Sequence, residues 1–137
     1  MEPGRVLMGR LPKACDLLAE LTRICQENQI TLGEVRALGA VEQAKVGYYD
    51  MLSRQYQWLE LDQELEILAL VGNVSLKDGE VFVHAHITLG DSQGRAFGGH
   101  LAEGTKVFAC EYVIREYKSD TPLERVWDEP TGLYLWG

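Results

Sequence analysis

Cysteine is scarce in this 137-residue chain and shows no ordered spacing. Cys15, Cys25 and Cys110 are odd in number and form no CxxC pair. That argues against a disulfide frame and for free thiols in a reducing compartment. Positive charge is also in deficit: thirteen Lys and Arg stand against twenty-one Asp and Glu, a formal net charge of −8. The basic residues are scattered, with no run among them. A protein that grips the phosphate backbone needs a positive footprint, so composition argues against DNA binding by the chain alone. A basic patch created by folding or oligomerisation is the route left open. No apolar run approaches the ~20 residues needed to cross a bilayer. The stretch "EPGRVLMGRLP" after Met1 lacks the basic and long apolar regions of a signal peptide. A cytoplasmic protein with no membrane partner is expected.

What is present is enough apolar material for a core, 46% of the residues, and a length suited to a single domain over residues 1–137. In "LPKACDLLAELTRICQEN", Ala14, Leu17, Leu18, Leu21 and Ile24 recur at three- and four-residue steps, with Asp16, Glu20, Arg23 and Glu27 opposite. The spacing predicts an amphipathic helix, with Pro12 in its first turn and Asn28 at its end. Most of the remainder alternates as strand. "TLGEVRALGAVEQAKVGYYD" reads as one long bent strand with Gly33, Gly39 and Gly47 as places for bulges. Ile67–Val71 is apolar on both faces, which indicates a central strand. Asp78-Gly79 marks a hairpin turn into "EVFVHAHITLG". "TKVFACEYVIREY" is a further long strand, and "LERVWDEPTGLYLWG" short extended pieces around a turn. The expected class is α+β: a mainly antiparallel sheet with a helix on one face.

All three histidines, His84, His86 and His100, fall within "HAHITLGDSQGRAFGGH". Strand periodicity puts Val81, Val83, Ala85, Ile87 and Leu89 on one face and Phe82, His84, His86 and Thr88 on the other. Residues two apart on a strand are ~6.5–7 Å apart at Cα, so both rings can lean onto one ion. "GGHL" offers His100 from a neighbouring segment, with Gly98 and Gly99 permitting positive φ and close backbone approach. Three neutral imidazoles with an open fourth position are a recognised zinc arrangement. Glu103 is a candidate to complete or support the shell. Spacing alone leaves the alternative open, a hydrogen-bonded polar cluster without metal. Metal affinity is expected to weaken as pH falls through ~6.5, where free imidazoles protonate. Glu111, between Ala109 and Val113, is a candidate buried acid or base, or else an arginine's partner. No Ser-His-Asp or Cys-His pattern is legible, and the glycine turns lead into strands, unlike a phosphate-binding loop.

"LGAVEQAKVGYYD", "LEILALVGNVSLKDGEVFVHAHITLGDSQGRAFGGHL" and "LERVWDEPTGL" together resemble the plants-and-prokaryotes conserved (PPC) domain, from about Val6 to Leu135. The order Gly-Asn, Asp-Gly, HxH and Gly-Gly-His carries the resemblance. It implies an antiparallel sheet flanked by helices and assembly as a homotrimer. Plant members follow AT-hooks that enter the minor groove of A·T-rich DNA, and prokaryotic members are commonly labelled DNA-binding by association. "MGRLPK" lacks the Arg-Gly-Arg-Pro core of a hook and reads as an edge strand leading into the helix. His84, His86 and His100 match the family's clustered metal-site histidines. Asn73, in the same pattern, is a candidate pocket residue with a turn role as its simplest reading, and Tyr48 and Tyr49 read as packing residues.

Three functions compete. One is a homotrimeric regulatory or interaction module holding a divalent transition metal, zinc first, and acting on protein partners or on DNA through a partner. Another is direct binding of A·T-rich DNA. The third is a metal-dependent enzyme on an unidentified small molecule.

Overall fold

The computed structural model describes residues 1–137. β1 (Glu2–Leu11) leads into α1 (Leu17–Glu27), followed by β2 (Gly33–Asp50), β3 (Gln55–Leu61), β4 (Leu65–Lys77) and β5 (Glu80–Gly90). β6 (Ala96–Leu101), β7 (Lys106–Lys118), β8 (Glu124–Asp128) and β9 (Leu133–Trp136) complete the chain. The mainly antiparallel sheet with a single helix agrees with the reading of the residues; the several flanking helices that the resemblance implies are not present.

Asp16 rather than Pro12 starts that helix. Its backbone is extended, and its carboxylate accepts the Ala19 N–H at 2.9 Å, satisfying a donor the first helical turn leaves orphaned. Pro12 and Ala14 belong to the turn before it, where Ala14 takes φ 72° and donates to the Val107 carbonyl. Asn28 ends the helix as expected, its N–H and Nδ2 both reaching the Ile24 carbonyl. Leu17, Leu21, Ile24 and Cys25 form the buried face, which packs toward β5.

The strands form one sheet in the order β1-β7-β2-β6-β5-β4-β8-β9, with β3 beside β2. Because β2 also pairs with β4, strands β2, β6, β5 and β4 close into a ring. Only the short β4–β8 pairing is parallel. β2 reaches all these partners by bending: its first half pairs with β4 and β7, and its second half with β3 and β6. The bend falls at Gly39, where the register against β4 shifts and φ is +144°. A Cβ there would stand 2.0 Å from the Ala109 carbonyl oxygen, so only glycine fits. Gly33 and Gly47 are ordinary strand residues with no register break beside them, unlike the bulges expected there. Asp78 (φ 53°) and Gly79 (φ 75°) make the β4–β5 turn, both with the positive φ that a two-residue hairpin turn requires.

One apolar cluster holds the fold. Leu70 and Val74 of β4, and Val83, Ala85, Ile87 and Leu89 of β5, share it with the helix face. Each fully buried Leu, Ile or Val contributes about 1.5–3 kcal/mol relative to exposure. The opposite sheet face is uncovered over β1, β7, β2 and β4. β4 is central, as its composition implied, yet Val71 is 57% exposed, beside Leu38 at 60% and Met8 at 75%.

Candidate metal centre

The parity of β5 decides where its histidines point. Val83, Ala85, Ile87 and Leu89 are buried in the core, so His84 and His86 project from the other face. β6 runs antiparallel to β5 and sets His100 opposite His86, while Leu101 turns inward to the core. Ring centroids lie 5.1 Å apart for His84–His86, 5.0 Å for His84–His100 and 5.8 Å for His86–His100. One nitrogen from each ring falls within 4.8 Å of the other two. A tetrahedral shell with Zn–N near ~2.0–2.1 Å places its nitrogens about 3.4 Å apart, a gap that small side-chain rotations close. Three imidazoles from two paired strands therefore fit a divalent transition metal with one position left open. His84, His86 and His100 would hold it, and the ion would supply Lewis acidity there.

Burial favours the neutral form of His84 and His100. His84 is pushed down to about 4, chiefly because burial disfavours the imidazolium, then through the charges of His100, Arg125 and His86. His100 is lowered for the same reason, with His86 and Arg125 adding to it. A neutral imidazole presents the lone pair that a metal needs.

Two further segments build the walls. β4 pairs Asn73 with His84 and Val71 with His86, so Asn73 stands beside the histidines within a strand, not in the turn expected of it. Asn73 Oδ1 accepts from Arg125 Nη2 at 2.8 Å. Arg125 is 7% exposed and also donates to Ser75 Oγ at 3.1 Å and to the Tyr134 carbonyl at 3.2 Å. Its guanidinium lies over the Phe82 and Trp136 rings at 5.3 and 5.4 Å. On the other side, Gly47 pairs with both His100 of β6 and Trp58 of β3. A Cβ on Gly47 would stand 2.6 Å from the Trp58 ring and 3.2 Å from that of Tyr56. Its absence lets Tyr56 stack on Trp58 at 5.2 Å and tilt against His100 at 5.1 Å.

The carboxylates proposed from sequence are elsewhere. Glu103 is exposed in the turn after β6 and outside the cluster of ligand atoms. Glu111 is exposed rather than buried, facing Arg10 and Leu38 on the uncovered sheet face. Its apolar neighbours are themselves surface residues of that face, so their presence did not signal burial. Gly98 and Gly99 do not take positive φ. They do allow close approach: a Cβ would stand 2.7 Å from the Ile87 carbonyl oxygen and 2.6 Å from that of Gly47, respectively. Tyr49 packs against Tyr56 as expected and donates its hydroxyl to the Thr131 carbonyl, whereas Tyr48 is 66% exposed. Sequence reasoning missed Arg125 and Tyr56. The one local signal for Arg125 was a lone cation within an aromatic-rich tail.

Comparison with known proteins places this arrangement. The model of the Plants and Prokaryotes Conserved (PCC) domain matches residues 1–118. A metal-containing protein of Archaeoglobus fulgidus superposes with a TM-score of 0.93 at 41% identity, over 98% of this chain and 94% of its own. A plant- and prokaryote-conserved protein of Pyrococcus horikoshii gives 0.94 at 37% identity, over 99% and 93%. A candidate DNA-binding protein of Bacteroides thetaiotaomicron gives 0.90 at 25% identity, over 98% and 92%. Among curated proteins, the bifunctional protein GlmU of a Synechococcus strain is 33% identical over 129 residues, 93% of this chain. The chain spans 20% of that relative's length.

Proposed function

We propose, from the premise that this chain belongs to the Plants and Prokaryotes Conserved domain family, that it is a metal-binding module working as a homotrimer. The observation that carries the metal is the convergence of His84, His86 and His100, with ligand atoms within 4.8 Å of one another. The metal-containing relative at 41% identity supports the same reading. Zinc is the first expectation, although imidazole ligands suit other divalent transition metals. Metal analysis of protein purified without a histidine tag tests this directly. One equivalent per chain is the expected result; protein free of metal whose melting zinc leaves unchanged sinks the proposal.

The homotrimer is supported by the uncovered sheet face. Met8, Leu38, Ala69, Val71, Ala109 and Val113 line a groove of about 800 Å³ there, and contiguous apolar surface of this kind marks an association site. The three cysteines are unpaired, in keeping with a reducing, cytoplasmic setting. No helix is long and apolar enough to cross a membrane.

Action through protein partners, or on DNA through a partner, is the regulatory role we favour. The DNA-binding description of one relative supports direct DNA contact as a second reading, and the net charge of −8 opposes it. A gel shift on A·T-rich duplex at low salt separates them, because phosphate contacts weaken steeply with ionic strength. No retarded band is expected. An enzymatic role rests on the open coordination position that three protein ligands leave.

A further inference from the structure

Arg125 has no acidic partner, and neither does the histidine cluster beside it. We infer that the metal site takes a small oxyanion of the carboxylate or phosphate class, held between the ion's open position and Arg125. The inference rests on the metal reading above and adds the chemistry of the ligand.

Charge carries the argument. A buried arginine is ordinarily matched by a carboxylate, since an isolated charge out of water is expensive. Arg125 is 7% exposed, yet its three hydrogen bonds go to neutral groups: Ser75 Oγ, the Tyr134 carbonyl and Asn73 Oδ1. A guanidinium has five N–H donors, so two are left over. Its remaining contacts are the faces of Phe82 and Trp136. The histidines are likewise neutral ligands, and none of the chain's twenty-one Asp and Glu joins their cluster. A divalent ion held by three imidazoles keeps its full double charge. The pocket then combines that charge with the guanidinium in a chain that is acidic overall. Only an anion relieves both.

Strand pairing brings the two positive groups close together. Asn73 is the link: it pairs with His84 across β4–β5, and its side-chain oxygen accepts from Arg125. With that oxygen engaged, its Nδ2 donor is available to the same ligand. Tyr56, against His100, closes the opposite wall. A planar oxyanion can direct one oxygen to the ion and accept a charge-assisted hydrogen bond from Arg125 at the other.

The test uses the full chain loaded with Co²⁺, whose visible spectrum reports the ion's ligands, titrated with acetate, inorganic phosphate and neutral acetamide. A saturable spectral change is expected with an oxyanion and none with acetamide; the tighter of acetate and phosphate assigns the class. Arg125→Gln should weaken that binding at least tenfold at unchanged cobalt stoichiometry. Asn73→Asp, nearly isosteric, places a carboxylate against Arg125 and should weaken it as much, which keeps the inference testable if Arg125→Gln does not fold. Cobalt uptake with no oxyanion response, or a response that both folded variants retain, overturns the inference alone. No cobalt uptake overturns the metal reading and this inference with it.

Discussion

His86 and His100 are direct cross-strand partners in the β5–β6 hairpin, their ring centroids 5.8 Å apart. His84 lies two residues from His86 and 5.0 Å, ring to ring, from His100. The triangle is thus set by a strand register and by one alternation along a strand, not by loop conformation. Sites carried on paired strands hold their geometry better than sites on loops.

Removing one corner should abolish tight metal binding. For His86→Gln we expect less than one-tenth of an equivalent of zinc retained after dialysis, against one for the wild type. His86 is the exposed member, so the apo variant should melt within a few degrees of the apo wild type. At a zinc concentration a hundredfold above Kd, the wild type gains about 2.7 kcal/mol, a rise the variant lacks. Equal thermal stabilisation of both proteins by zinc would show that the ion binds elsewhere.

Acid should destabilise the metal-free protein over a defined window. His84 titrates near ~6.5 in an unfolded chain and at about 4 in the folded one. Between these values the unfolded state holds the proton and the folded state does not, so stability falls as pH falls. The loss begins below ~6.5 and is complete below about 4. The same depression lets His84 bind metal at lower pH than a free imidazole, below the ~6.5 suggested by the sequence. Denaturant titrations at pH 7, 5.5 and 4.5 check this, and His84→Gln should flatten the dependence.

Gly47 should be intolerant of a side chain although it sits in a regular strand. Gly47→Val would force the Trp58 and Tyr56 rings away from their present positions. Overpacking of this kind costs about 1–3 kcal/mol, and the displaced Tyr56 no longer supports His100. Lower melting together with weaker zinc affinity is expected. Unchanged affinity would remove Tyr56 from the site.

The uncovered face should govern assembly. Leu38 is 60% exposed beside Val71 and Met8, so Leu38→Asp places a charge among residues that the proposed trimer buries. Light scattering should give three times the chain mass for the wild type and the single-chain mass for the variant. A monomeric wild type would dispose of the trimer.

Much of the fold was readable because its signals are local. Alternation along "VFVHAHITL" divided core from site face, Asp78-Gly79 announced the hairpin, and each is a property of neighbouring residues. The helix boundary was misplaced because Pro12 and Asp16 both suit a helix start, and only the turn at Ala14, bonded to β7, distinguishes them. The buried acid or base alternative for Glu111 fails because an apolar strand context looks the same on a buried face as on an uncovered one, whereas its place opposite Arg10 agrees with the arginine-partner alternative. Asn73 was given a turn role because Gly72-Asn73 has turn composition, while the long β2–β4–β5 pairing holds it extended.

By itself the sequence determined that three imidazoles share one small region and project from one side of a strand, since side-chain alternation needs no partner. It also determined that the chain is acidic and has few places for a cation to act. The tertiary structure alone decided which cation meets the histidines. Arg125 reaches Asn73 only because β8 adds to β4 in parallel and turns the tail over the site face. That contact joins residues distant in sequence through strand pairing, a long-range choice that no local pattern encodes.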